Sequence, residues 1–223
     1  YHQHPVRIPP GGAVSEVRRT SAAHLQACFD AFYRPENMKL ALAGDFDPEE
    51  VFAMVEDRLD PSSGRPEVTR LYPEEAETPC AAVMEECFEV VRPHIWIGWR
   101  ESAGLGLGPE NLRRHVLASL VLDLALGDAS VHHQELYETG IVDQSFHTGY
   151  SSDSDWGYAV AAGESDNPEA FVEGVRAALR KFNQVGVKEE DLERVRRSAW
   201  GNMVGGLQSP AALASNMLSG MLN

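Results

Sequence analysis

The sequence predicts an α+β fold: a two-layer sandwich in which a mostly antiparallel sheet carries helices on one face. Three observations lead there. Short runs rich in β-branched and aromatic residues lie in the middle of the chain. Segments with helical periodicity gather after them, and the regular strand–helix alternation that a parallel sheet needs is missing.

In chain order, "TSAAHLQACFDAFY" puts Leu25, Cys28, Phe29, Phe32 and Tyr33 on one helical face behind a Thr20 or Ser21 cap, and Pro35 ends that helix. "MKLALAG" reads as a short apolar strand closed by Gly44. Asp47 can cap the next helix, with Pro48 at its first position and Glu50 able to complete a capping box, and this helix runs to about Leu59. From Asp60 to Pro79 the composition shifts to Pro, Ser, Gly and Glu with no sustained period, which reads as a linker. The expected organisation is a first unit over 1–60, a linker over 61–79 and a second domain over 80–223.

The second domain opens with two expected strands, "AVMEECFEVV" and "HIWIGWRE", separated by Pro93, with Trp96 and Trp99 on opposite sides of theirs. A long helix from Pro109 to Leu126 follows, with Leu112, Val116, Leu117, Leu120, Val121 and Leu124 on one side. "SVHHQELYET" makes a shorter helix capped by Ser130 and stopped by Gly140. "SFHTGY" and "WGYAVAAG" are strand-like. Asn167 and Pro168 then open a helix bearing Phe171, Val172, Val175, Leu179 and Phe182, and two more helices start at Glu189 and Pro210.

Bulk properties narrow the function classes. A formal net charge of −15, with its 19 Lys and Arg scattered, excludes nucleic acid as the expected partner, because a phosphate binder needs a basic face. The most apolar run, from Val116 to Leu126, is too short to span a bilayer and contains Asp123, so no membrane partner is expected. Cys28, Cys80 and Cys87 are odd in number and lack zinc spacing, which suits reduced thiols in a cytoplasmic protein. The chain begins at Tyr1 without Met, as a fragment of a longer protein would.

Four stretches imitate functional motifs. "GLGLGP" resembles a dinucleotide loop, but Pro109 stands where the third glycine belongs. Asp153, Asp155 and Glu164 have calcium-loop spacing, yet Tyr158 occupies the turn position that needs Gly. "GYSSD" around Ser151 ends in Asp153 and makes no nucleophile elbow. "HHQEL" is the nearest miss: His132 and Glu135 fit an H-x-x-E-H zinc helix, but position 136 is Leu. His133 points about a quarter-turn away from His132. His24 and His115, on amphipathic helices, read as solvated side chains.

Resemblance over the whole chain adds a further expectation. "FYRPENMKLALAGDFDPEEV", preceded by "HPVR" and "GG", is similar to a stretch of the pitrilysin/insulinase family of zinc peptidases. "LALGDASVHHQELYETGIVDQSF", "AAGESDNPEAF" and "GLQSPAALASN" resemble later segments of its Bacillus-type cytosolic processing-peptidase branch. The resemblance implies the metallopeptidase fold of the insulinase type. It also implies that 1–60 are the remainder of an N-terminal peptidase domain, and that 80–223 are the homologous second domain, which binds no zinc.

On this view zinc belongs to the parent protein and no cofactor to this chain. The sequence names no catalytic or metal-ligating residue and leaves the substrate-binding residues unidentified. Where many members carry R-x-x-x-G-L-x-Y, this chain has Leu136, Gly140, Ile141 and Asp143, so neither the Arg nor the Tyr carries over. The implied role is the chamber-forming, substrate-contacting part of a bacterial zinc endopeptidase. Its partners would be a peptide substrate, the missing N-terminal half or a partner subunit, and a second copy of the chain. The alternative is a non-catalytic family member acting as a structural or assembly subunit.

Overall fold

The computed structural model describes residues 1–59, 71, 73–101, 106 and 108–222. The chain divides into two compact units, Tyr1–Ala76 with Val204–Asn223, and Glu77–Met203. Most of the expected linker, 61–70 and residue 72, lies outside the described residues, as do Gly104, Leu105 and Leu107 of "GLGLGP".

The first unit is helical: α1 (Val14–Arg19), α2 (Ala22–Phe32), α3 (Pro48–Arg58) and, after residue 204, α8 (Pro210–Leu222). Local chemistry sets their starts. The Ser21 hydroxyl accepts from the His24 N–H and the Asp47 carboxylate from the Glu49 N–H, each satisfying a donor that the first helical turn leaves open. The backbone N–H groups of His2, Gln3 and His4 converge on the Glu75 carboxylate, tying the start of the chain to residue 75. This unit has little interior. Among its described residues only His4 is buried, while Leu25, Phe29 and Phe32, the apolar face read from the sequence, are half or more exposed.

The second unit holds the sheet. β1 (His94–Arg100), β2 (His147–Ser152) and β3 (Gly157–Glu164) are all antiparallel in the order β1-β3-β2, so the last strand in sequence is the central one. α4 (Pro109–Leu126) packs on β2, α6 (Pro168–Val185) on β1, and α5 (Val131–Glu138) on both α4 and α6. α7 (Glu189–Gly206) follows. Ser130 caps α5 and Asn167 caps α6, as their sequences predict, and Gly140 and Gly186 take the left-handed backbone that ends each helix.

The register decides what each face carries. Ile95, Ile97 and Trp99 stand opposite Gly163, Ala161 and Ala159, all turned toward the helices. Ile95, Ile97 and Ala161 meet Phe171, Val175 and Ala178 of α6 together with Ala125 and Leu126 of α4 in one core. Trp96 points the other way and is 67% exposed, while Trp99 packs against the core.

Two expected strands are absent. "MKLALAG" and "AVMEECFEVV" carry the right side chains, but neither has a ladder partner among the described residues, and Leu40, Val83, Phe88 and Val91 are exposed. Strand propensity measures fit to a pleated surface, and without a neighbouring strand it has nothing to fit. The core-facing side of α4 also differs from the sequence reading. Leu112, Val116, Leu117 and Val121 are exposed, whereas Asn111, Leu122, Ala125 and Leu126 are buried together with Leu124. The stripe of branched residues is therefore not the one that meets the sheet.

Phe171 is fully buried and joins α6 to the sheet. Phe171→Ala should cost about 3–5 kcal/mol in denaturant unfolding through lost burial and the cavity left behind. Trp96→Ala, on the open face, should change stability by less than about 1 kcal/mol. Equal losses for the two would contradict this description of the core.

Candidate functional site

The near-zinc stretch lies on α5, and its residues are engaged in packing and pairing. Leu136 is buried in the core, contributing its side chain where a second ligand would stand. His132 is buried beside Phe182, ring edge to ring face at 6.2 Å, and burial lowers its pKa below the ordinary histidine value. His133 turns elsewhere, stacking on Phe146 at 5.5 Å. Glu135 binds Lys181 of α6 at 2.7 Å, and that hydrogen bond holds its carboxyl below the usual range. Among the described residues no group of three His, Cys, Asp or Glu side chains is placed to hold a metal. These residues do not fit zinc, because the helix turns Leu136 inward and spends Glu135 on a lysine.

The other imitated motifs also separate in space. Asp153 and Asp155 sit in the β2–β3 turn, while Glu164 stands at the far end of β3 beside His94, at 3.5 Å. An eight-residue strand separates the two groups by roughly 20 Å, too far for one calcium ion. Ser151 lies on β2 opposite Tyr158.

Asp143, at the position where the resemblance would place a tyrosine, has a structural task. Its carboxylate accepts from the Ser145 hydroxyl at 2.5 Å and backbone N–H at 2.9 Å, and from Arg92 at 2.6 Å. Arg92 also reaches Asp166 at 3.3 Å, and the Ser145 hydroxyl accepts from the Glu164 N–H at 2.8 Å. The segments flanking all three strands are thereby latched together at one end of the sheet. The serine and arginine contacts lower the Asp143 pKa to about 2.

A second polar cluster, which sequence reasoning missed, joins α4 to the sheet. The Tyr150 hydroxyl donates to Glu101, which also pairs with Arg114 at 3.3 Å, and the Ser152 hydroxyl donates to buried Asn111 at 3.2 Å. The His115 ring packs edge-on against Tyr150 at 5.4 Å. Burial, and then the Glu101 carboxylate, push the Tyr150 hydroxyl up to about 12, so it stays a donor at neutral pH. Polar residues in a strand normally signal a solvent face, so alternation alone concealed this inward set.

Among the described residues, the outer face of the sheet carries exposed Trp96 and Gly98. Trp96 stands across Ala162 from His147, with the two rings edge to face at 5.8 Å, and Ala162 is buried beneath them. Along the strands, Val160 lies between Gly98 and Gly149, and at Gly98 an added Cβ would meet nothing within 4 Å. An aromatic ridge thus borders a row in which the Val160 side chain stands between two glycines, with main chain left open at Gly98.

The family model described as "Peptidase M16 inactive domain" matches residues 19–199. The chain belongs to this peptidase family, as its C-terminal, inactive domain. The resemblance to the pitrilysin/insulinase zinc peptidases is borne out, and the helix-on-sheet α+β architecture agrees with its structural neighbours. The uncharacterized zinc protease YmfH of Bacillus subtilis is 27% identical over 217 residues, which cover 96% of this chain and 50% of that protein. The crystal structure of an M16-like peptidase from Alicyclobacillus acidocaldarius matches with a TM-score of 0.88 at 32% identity, over 100% of this chain and 53% of that one. A protease from Helicobacter pylori shares the fold, with a TM-score of 0.71 at 14% identity over 93% of this chain and 51% of that one. A chain of Complex III2 from Candida albicans shares it as well, at 0.68 and 16%, over 95% and 51%. The chain spans about half the length of the relatives it matches.

Two outcomes are expected from this geometry. After dialysis the chain should carry far less than one zinc per molecule by elemental analysis. One tightly held zinc lost on His132→Ala would overturn the reading of α5. For Asp143, a folded pKa near 2 lies below the ordinary unfolded value of about 3.9. Its stabilisation is therefore complete above pH ~4 and is lost as pH falls toward 2. The stability gap between wild type and Asp143→Asn, followed by urea unfolding, should be constant near neutrality and shrink across that window.

Proposed function

We propose that this chain forms the zinc-free wall of a peptidase chamber and holds extended peptide on the open face of its sheet. The observation that carries this reading is the outer face, where the Trp96–His147 ridge stands beside open main chain at Gly98. A peptide backbone can lie over Gly98 while its side chains meet the aromatic edge, and the outer edge of β1 from His94 to Trp99, which pairs with no strand among the described residues, offers further main-chain donors and acceptors. Membership of a family whose matching domain is described as inactive supports placing the zinc-dependent step outside this chain. In this account the missing N-terminal half or a partner subunit supplies that step.

The same reading takes residues 1–60 as the remainder of the zinc-binding domain, 61–79 as a linker and 80–223 as its zinc-free homologue. Exposed Leu25, Phe29 and Phe32 are then the face that meets the other half. A bacterial cytoplasmic location suits the three free cysteines, and among the described residues no single helix is long and apolar enough to cross a membrane.

An unfolded, protease-resistant peptide titrated into isotopically labelled chain tests this directly. Amide shifts should concentrate on residues 94–100, 147–152 and 157–164, weaken several-fold in Trp96→Ala, and be accompanied by no hydrolysis when a cleavable peptide replaces the probe. Shifts confined to the helices, or cleavage by the chain alone, would refute the proposal. Shifts that survive Trp96→Ala unchanged would remove the ridge from it.

A further inference from the structure

Three side chains stand together at one end of the outer sheet face. Trp96 lies opposite Ala162, Glu164 follows two residues later on the same face of β3, and His94 lies opposite Glu164. Trp96 and Glu164 are therefore diagonal neighbours, about 7–8 Å apart between Cα atoms, a gap that one long side chain can bridge.

Each of the three offers something different to a guest. The Trp96 indole is 67% exposed even with the His147 ring set against it. An open indole face attracts cations through its ring quadrupole. The Glu164 side chain is 35% exposed, and the His94 ring 3.5 Å away neutralises it only when the imidazole is protonated. Arg92, at the same end of the sheet, is engaged by Asp143 at 2.6 Å and Asp166 at 3.3 Å. With His94 neutral, Glu164 thus holds a negative charge beside an open indole, and no lysine or arginine pairs with it among the described residues. The net charge of −15 adds a field of the same sign. Arg100, the opposing charge on this face, stands four residues further along β1. That places it roughly 13 Å from Trp96 along the strand.

We propose that the open face selects peptides carrying an arginine or lysine, whose side chain lies over the Trp96 indole and whose charge meets Glu164. The inference rests on the peptide-binding reading of this face and adds to it the chemical class of the bound side chain. Arginine fits better than lysine, because a planar guanidinium can stack on the indole while its edge donates to the carboxylate. An acidic side chain at the same place is repelled by Glu164.

The test uses two capped, protease-resistant peptides of one sequence, one with a central arginine and the other with citrulline, which has the same shape and no charge. Each is titrated into isotopically labelled full chain while the Trp96 indole N–H and the amides of β1 and β3 are followed. The arginine peptide should bind about fivefold more tightly, the scale of an exposed ion pair and a cation–π contact together. Glu164→Gln should cut that advantage to about twofold or less and leave the affinity of the citrulline peptide unchanged, with the rest of its spectrum unaltered as the check that it folds. Equal binding of the two peptides, or an arginine advantage undiminished in Glu164→Gln, would overturn the charge selection while peptide binding on the face still stood. Failure of both peptides to bind would overturn the two together.

Discussion

The second unit depends on how closely α6 approaches the central strand. β3 is built almost entirely of small residues on the side that faces the helices, and at Gly163 an added Cβ would stand 3.1 Å from the Phe146 Cα and 3.2 Å from the Phe171 ring. That space is filled by Phe171 itself, which has no exposed surface. The approach recurs one layer out, where a Cβ at Gly174 of α6 would fall 3.0 Å from Leu136 and Ile141. Glycine here is a packing residue: it lets α6 lie against the sheet on one side and α5 on the other. Leu136 is therefore held in place by the same contact that excludes a metal ligand at its position.

This close packing divides the labour between the two sides of the sheet. The helical side is consumed by the core and by the polar ties of Tyr150, Ser152 and Asn111, while Trp96 and Gly98 on the outer side are exposed. Antiparallel sheets tolerate that asymmetry, since one face can remain open. An exposed tryptophan on such a face is what the peptide contact proposed above would use. The first unit has the opposite problem. Its helices are capped and patterned, yet among the described residues their apolar faces are largely exposed.

Much of the fold could be read from local chemistry. Ser21, Asp47, Ser130 and Asn167 all cap the helices that their types and positions predict, because capping is decided within four residues. β1 was legible from its β-branched and aromatic content. "MKLALAG" and "AVMEECFEVV" were misread because pairing depends on a partner strand that lies elsewhere in the chain or outside it. The α4 stripe was misread for a related reason: periodicity identifies an apolar face but does not say which neighbour it meets, and Asn111 and Ala125 won the sheet side. In the candidate sites, the loss of a ligand at Leu136 was plain from the spacing. The inward Tyr150 and Ser152 were not, since their cluster arises only when separate elements converge.

The central claim is that residues 77–203 fold on a core of their own while the first unit has none comparable. Native-state amide hydrogen exchange on the full chain measures this residue by residue. The account predicts that the slowest amides belong to Ile97, Ala161 and Val175, exchanging only with global unfolding, and that amides of α2 and α3 exchange orders of magnitude faster. Protection of α2 and α3 equal to that of β3 would contradict it.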